Sequence, residues 1–338
     1  MVNIRDIAKE ASVSVATVSR LLDLEKRKLV RAETRAKVEK VIRKYHYVPN
    51  RTAQALSRQA THTIGMVTPF SSDVVKSPYF EGLIAGIIEG IGSLTYDLKW
   101  IMIRDEIRES CNLHELLRKH SVDGIIFLTW RLLTNLVEEI QHRADLPAVL
   151  INDYDPKVHC SIVYCENKNG VMQVCSHFNL KGYKRIGMIR GPEYISHDAR
   201  GRFLAFKASA KKLRFTIKDS FLYECPRFEE EAGYQTMMSW IQNGNLPDAI
   251  FCANDGIAIG AIRALRERKI KVPKDVAVAG YDDSKKNEMV IPPLTSVRQP
   301  LEAMGRAAVE TLVKLISKEA KGAIRLKFEP ELIVREST

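Results

Sequence analysis

From residue 63 onward, seven short apolar, β-rich runs, near 63–69, 99–103, 124–129, 148–151, 185–189, 249–252 and 276–279, alternate with helix-compatible segments. Such alternation buries both faces of a sheet when the strands run parallel and the helices lie on either side. The chain is therefore α/β over most of its length, and the span is long for one doubly wound sheet, which implies two. Gly82, Gly86 and Gly90, spaced by four, share a helix face and suit close helix-to-sheet packing. A dinucleotide loop needs G-x-G-x-x-G directly after a strand, so no nucleotide cofactor is expected.

Residues 1–60 read differently. They hold 14 Lys and Arg against 6 Asp and Glu, which is +8 of the chain's +11 formal charge. The remaining 278 residues, with 38 basic and 35 acidic side chains, have an ordinary balance. Ile4, Ile7, Ala8 and Ala11 fall at i, i+3, i+4 and i+7, the apolar stripe of a short helix. The break at 12–14 precedes a second helix over 15–22, for which Ser14 is a natural N-cap. A third amphipathic helix is expected over about 33–45, with Val38, Val41, Ile42 and Tyr45 on its apolar face and Pro49 to stop it. Concentrated basic charge over two helices joined by a tight turn is the footprint of a DNA-binding unit. Residues 50–58 are helix-compatible but too short to be stable alone, a conditional helix or a linker.

The composition excludes several classes. No apolar run approaches the roughly 20 residues of a membrane span, and the N-terminus lacks the layout of a secretory signal. Cys111, Cys160, Cys165, Cys175, Cys225 and Cys252 are scattered and form no C-x-x-C pair, which fits a cytoplasmic protein with reduced thiols and no structural metal. No nucleophile elbow, phosphate loop or Cys/His arrangement for catalysis is present, so no catalytic residues are assigned.

Ligands of parallel sheets sit beyond the carboxyl ends of the strands. Those ends carry Asn152-Asp153, Asn254-Asp255 and Asp282-Asp283. Each pair could simply cap the next helix; their recurrence at equivalent ends points to a pocket. Adjacent carboxylates on an extended segment point apart, so Asp282-Asp283 is no catalytic pair.

Set in order, IRDIA at 4–8, VSVATVSR at 13–20, YVPN at 47–50, TIG at 63–65, RIG at 185–187, ND at 254–255, GYDD at 280–283, PPLT at 292–295 and ELIVREST at 331–338 resemble the lactose-repressor and galactose-repressor family of bacterial transcription regulators. The resemblance implies an all-α helix-turn-helix headpiece plus two Rossmann-like, periplasmic-binding-protein-like subdomains joined by three crossovers. The matching divisions are 1–47 for the DNA-binding domain, 48–60 for a hinge helix or linker, 61–160 with 293–323 for one effector subdomain, and 161–292 with 324–338 for the other.

On that resemblance the second helix enters the major groove with Val15, Ala16 and Arg20 facing base edges. Their chemistry agrees, since Arg suits guanine and small apolar groups suit a thymine methyl. Ser14, Thr17 and Ser19 are expected as cap and phosphate contacts, which position without specifying. Asn50 opens the family's hinge helix, in which Leu56, with Ala53 one turn before it, matches the side chain wedged into the minor groove. The loop at 23–28 is about two residues longer than in relatives, and its Lys26, Arg27 and Lys28 are either phosphate contacts or a solvated run.

The matching effector positions are Tyr79, Phe80, Asn152, Arg202, Phe228, Asn254 and Asp282, where relatives commonly have Asp in place of Asn152. Such groups suit the hydroxyls and apolar face of a carbohydrate. The expected partners are a pseudo-palindromic DNA operator, a carbohydrate effector and a second copy in a homodimer, with no leucine-heptad tail for a tetramer. A sugar-binding uptake protein would share the core; the basic helical head and the missing signal argue against it.

Overall fold

The computed structural model describes residues 2–22, 26–47, 60–92, 94–104, 113–128, 147–152, 160–194, 196–244, 246–320 and 322–338. The chain divides into two compact units, Met1–His62 and Thr63–Thr338.

In the first unit, α1 (Ile4–Glu10), α2 (Val15–Leu22) and α3 (Ala32–Lys44) surround a core of Ile7, Ala8, Ala11, Val18, Leu21, Val38 and Val41. Asn3 caps α1 by accepting from the Arg5 and Asp6 amides, while Asp6 returns the bond to the Asn3 amide at 2.9 Å. The helix then ends in a left-handed residue, Ser12 at φ +53°. Around it the Ser12 and Val13 amides donate back to the Lys9 and Ala8 carbonyls, and this closure makes the tight turn into α2. The same device ends α3: His46 is left-handed at φ +45°, and Tyr47 N–H reaches the Ile42 carbonyl at 3.0 Å. So α3 stops at Lys44 before Pro49 can act; residues 48–59, with the expected hinge positions Asn50, Ala53 and Leu56, lie outside the described residues.

The second unit holds two six-stranded sheets. The first joins β1 (Thr63–Pro69), β2 (Asp97–Ile103), β3 (Gly124–Phe127), β4 (Ala148–Ile151), β5 (Ser161–Cys165) and β11 (Arg325–Phe328), in the order β11-β5-β4-β3-β1-β2, all parallel. The second joins β6 (Ile186–Arg190), β7 (Leu222–Glu224), β8 (Ala249–Cys252), β9 (Ala277–Asp282), β10 (Thr295–Arg298) and β12 (Glu331–Ile333), in the order β12-β10-β9-β8-β6-β7, with only β12 antiparallel. Strand alternation covers both faces of the first sheet. Val149 and Ile151 enter one core and Ala148 and Leu150 the other.

Pairing moves the expected subdomain boundaries. Because β5 and β11 pair in the first sheet and β10 in the second, the chain crosses between halves near 166, 299–300 and 329–330 rather than at 161, 293 and 324. Backbone hydrogen bonding decides the membership of these short strands, and their composition carries no trace of it. Helices α4 (Pro78–Gly92) and α5 (Leu113–His120) belong to the first half, and α6 (Asn167–Leu180), α7 (His197–Leu213), α8 (Glu230–Gln242) and α9 (Asp255–Glu267) to the second. After the second crossing, α10 (Leu301–Ile316) returns to the first half. There its backbone lies against α4: a Cβ at Gly86 would come within 2.0 Å of the Glu302 carbonyl oxygen. The glycine face of α4 thus packs on a helix, not on the sheet as expected.

Candidate functional site

In the first unit the exposed face of α2 is the face its core does not use. Val18 and Leu21 are buried, whereas Ser14, Val15, Ala16, Ser19 and Arg20 are exposed and Thr17 is half-buried. Ser14 starts the helix as its cap: its Oγ accepts from Thr17 N–H at 3.1 Å and lies 2.9 Å from Thr17 Oγ1. Val15 and Ala16 therefore occupy the first turn, with Arg20 one turn further on.

Ion pairs sort the basic residues around this helix. Arg27 and Arg35 both bind Glu39, Arg35 Nε at 2.9 Å, and the Arg27 hydrogen bond is the main reason the Glu39 carboxyl is held below its usual range. Lys44 Nζ and Tyr45 Oη both donate to Glu10 at 2.5 Å, tying the end of α3 to α1 and lowering the Glu10 pKa, Lys44 foremost. Arg27 is thus a brace, and Lys28, exposed in the 3-10 turn Lys26–Leu29, remains turned to solvent.

In the second unit one chain of polar contacts runs between the sheets. Asn152, just past β4 and left-handed at φ +57°, accepts from Cys165 N–H through Oδ1 at 2.8 Å. Its Nδ2 donates to Tyr79 Oη at 3.1 Å and to Gln299 Oε1 at 3.3 Å. Gln299 lies on the second crossing, is buried, and donates through Nε2 to Asp282 Oδ1 at 2.8 Å. Asp282 is 3.8 Å from Arg202 Nη2, with Asp198 on the same nitrogen at 3.9 Å. Arg202 Nε donates to Asn167 Oδ1 at 2.9 Å, Asn167 Nδ2 donates to Asp198 Oδ1 at 2.6 Å, and Arg202 Nη1 donates to the Ala253 carbonyl at 2.7 Å. Its guanidinium lies over the Tyr281 ring, 3.8 Å from the centroid.

Burial sets the charge states. It opposes the charge on Arg202, but Asp282 leads the neighbours that outweigh it and the pKa is raised. Burial raises the Asp282 carboxyl, with Arg202 pulling the other way, and raises the Tyr79 phenol strongly. Behind Asp282, Asp255 accepts from Ser296 Oγ at 2.5 Å and from Ser284 N–H at 2.7 Å, and burial followed by the Asp282 charge raises its carboxyl too.

The structure joins Tyr79, Asn152, Arg202 and Asp282 in this chain. Phe80 is not part of it: fully buried in the first sheet's core, it meets Tyr79 only edge-on, at 5.3 Å between centroids, because successive residues of a helix face different ways. Asn254 caps α9, its Oδ1 accepting from Ile257 N–H at 2.9 Å, while its Nδ2 holds the Phe228 carbonyl at 3.2 Å. That bond fixes the Phe228 loop, and the Phe228 ring lies where a Cβ at Gly191, just past β6, would be 2.1 Å from it. Asp282 is the last residue of β9, with φ +104°, rather than a residue beyond the strand. Asp283 turns away, held by Arg298 at 2.7 Å and Arg335 at 2.6 Å. Gln299, Asn167 and Asp198 were not among the expected positions; only Asp198, one helical turn before Arg202, had a local signal.

Among the described residues no group of three His, Cys, Asp or Glu side chains is placed to hold a metal ion, and no helix is long and apolar enough to cross a membrane.

Residues 3–50 match the family described as bacterial regulatory proteins, lacI family, and residues 175–338 match the periplasmic binding protein-like domain. The HTH-type transcriptional repressor PurR of Haemophilus influenzae (strain PittEE) is 31% identical over 340 residues, covering 100% of this chain and 98% of the relative. Among solved structures, the lac repressor dimer bound to operator and the anti-inducer ONPF aligns with a TM-score of 0.86 at 25% identity, over 100% of this chain and 99% of that one. The complex of the transcriptional regulator CelR with cellobiose aligns with a TM-score of 0.73 at 27% identity, over all of both chains.

Proposed function

The chain belongs to the lacI family of bacterial regulatory proteins, and on that footing we propose that it is a dimeric, sequence-specific transcriptional repressor controlled by a small-molecule effector. The observation that carries the reading is the outward face of α2, a capped helix whose exposed Val15, Ala16 and Arg20 do no work in its own core. In the major groove Arg20 reads guanine and the small side chains read thymine methyls. Ser14, Thr17 and Ser19 hold the helix to phosphate. Two such units in a dimer bind a pseudo-palindrome with half-sites about one helical turn apart.

Asn50, Ala53 and Leu56 serve a hinge helix that folds on the operator and wedges Leu56 into the minor groove. The effector, a sugar or sugar derivative, enters between the sheets and exchanges its hydroxyls for bonds of the Tyr79–Asn152–Gln299–Asp282–Arg202 chain, with Phe228 and Asn254 beside it. That exchange resets how the two halves are held, and so whether paired hinges can fold, a coupling of about 1–3 kcal/mol. The repressor works in the cytoplasm, on the nucleoid when DNA-bound, without a cofactor and without turnover of its ligand.

Footprinting with the full chain on the DNA flanking its own gene tests this. An operator-sized protected palindrome that changes with a candidate sugar is the expected result. Absence of any footprint at moderate salt, with and without sugars, contradicts it.

A further inference from the structure

A second concentration of basic charge lies in the larger unit, on α7 and the turn that follows it. Residues 199–218 contain seven Lys and Arg and no Asp or Glu, while the rest of 61–338 has 31 basic against 35 acidic side chains. The whole positive excess of that unit therefore sits in one short segment. Of the seven, Arg202 is buried and the other six are exposed.

Helix geometry lines three of them up. Arg200, Lys207 and Lys211 recur at i, i+7 and i+11, so they share one face of α7 over roughly 16 Å. Arg214, the C-cap, extends the row by less than one turn. Among the described residues no carboxylate pairs with Arg200, Lys207, Lys211, Lys212 or Arg214. Helix α6, which packs beside α7, has no acidic residue, and the carboxylate of α7 itself, Asp198, is engaged by Asn167 and Arg202. Beyond α7, Thr216 N–H on the Lys184 carbonyl at 2.9 Å brings Lys184 alongside, and Asp248 is taken by Arg185 at 2.8 Å.

An exposed charge run is ordinarily a solvated face in which the signs alternate. Other surfaces of this unit follow that rule: Arg263 of α9 binds Glu231 of α8 at 2.7 Å, and Arg306 of α10 binds Glu89 of α4 at 2.5 Å. The row on α7 does not. We infer that the outer face of α7 is a second, sequence-independent DNA-binding surface that holds the phosphate backbone of a duplex. A duplex carries one phosphate per ~1.7 Å of its axis, so every cation of the row finds a partner.

The composition of the face favours a duplex over an acidic protein. Protein interfaces are built around an apolar centre and are poor in lysine. The exposed side chains of α7 are Arg200, Leu204, Lys207, Ala208, Lys211 and Lys212, with Leu204 as the one large apolar group. On the reading that the first unit binds DNA, tethering also keeps α7 at a high effective concentration of phosphate, where a few unpaired cations suffice.

Anisotropy titration of the full chain with a random-sequence duplex, over a series of salt concentrations, tests the inference. Each phosphate contact contributes about −0.9 to the slope of log K against log salt, so Arg200→Gln, Lys207→Gln and Lys211→Gln combined should make the slope shallower by about 2–3. The melting curve should stay that of the wild type; if it does not, Lys207→Gln alone keeps the test, with a change of about 0.9. Lys207→Arg with Lys211→Arg, which keeps the charge, should keep the wild-type slope. Removing as much charge from paired cations elsewhere, by Arg263→Gln, Arg306→Gln and Lys327→Gln, should leave the slope within about one of the wild type. An unchanged slope in the α7 variant, or an equal change in the paired-cation variant, overturns the inference and leaves the DNA reading of the first unit standing. It is overturned equally if polyglutamate, standing in for an acidic protein, binds the row while the duplex slope is unchanged. No duplex binding by the wild type at any salt overturns both.

Discussion

In residues 1–62 the groups offered to a partner are those the core leaves out, whereas in residues 63–338 the candidate ligand groups are themselves buried and bonded to one another. Val15, Ala16, Ser19 and Arg20 stand on the outside of α2 while Val18 and Leu21 hold it in place. Arg202, Asn152 and Gln299 are at most 5% exposed, and each has a partner it would lose if cut away. The carboxylates differ in the same sense. Glu10 and Glu39 sit in surface ion pairs that lower their pKa values, and Asp255 and Asp282 are buried groups whose values are raised. A surface site can change its specificity without risk to the fold, while a site made of buried polar groups cannot.

The contrast is broken most readily at Arg202. Replacing it with Ala leaves the half-buried Asp198 and Asp282 without their cation, and the larger unit should lose about 3–5 kcal/mol in a denaturant titration, together with its ligand response. A wild-type denaturation midpoint would put Arg202 among the surface groups. Gln299→Ala removes a side chain bonded to both Asn152 and Asp282, and should cost about 1–3 kcal/mol. Its sharper readout is the ligand's effect on operator affinity, which should shrink more than the ligand's own binding.

On the other side, Arg20→Ala should shift stability by less than about 0.5 kcal/mol. Discrimination against the wrong base at one operator position should meanwhile fall by about 1–3 kcal/mol, measured by competition binding. Ser14→Ala should cost about 1 kcal/mol through the lost N-cap, a point where the proposed DNA face and the fold share a residue.

The smallest expected effect is a slope. Because the Asp255 pKa is raised in the folded protein, its contribution to stability is complete below the unfolded value and is lost as pH rises through the folded one. Asp255→Asn should therefore gain on the wild type as pH rises, in melting curves followed across that range. A difference independent of pH would contradict the assignment.

Much of this contrast was already legible in the residues. The stripe Ile4, Ile7, Ala8 marks α1, and three strands, β1, β4 and β8, have the bounds their apolar runs predict. The strands that escaped, β5, β7, β10, β11 and β12, are three to five residues long, and such short runs are recruited by a neighbour's backbone. The place of Tyr79, Asn152, Arg202 and Asp282 in this chain of contacts was legible through the family motifs that carry them, with Asn152 and Asp282 at strand ends as well. Gln299 was not, since its place between the halves comes from where the chain crosses, and no local pattern encodes that. Phe80 falls in the core rather than in this chain for a similar reason: neighbouring helix positions share a motif but not a direction.

On the proposed function, the outer face of α2 reads DNA sequence independently of the fold that carries it. Selection of bound duplexes from a randomised pool by the full chain, repeated with Arg20→Ala, tests it directly. The expected result is an enriched pseudo-palindrome, half-sites about one helical turn apart, with preference lost at a symmetric pair of positions in the variant while its melting curve stays unchanged. No palindrome, or the same palindrome with equal preference from both proteins, would contradict it.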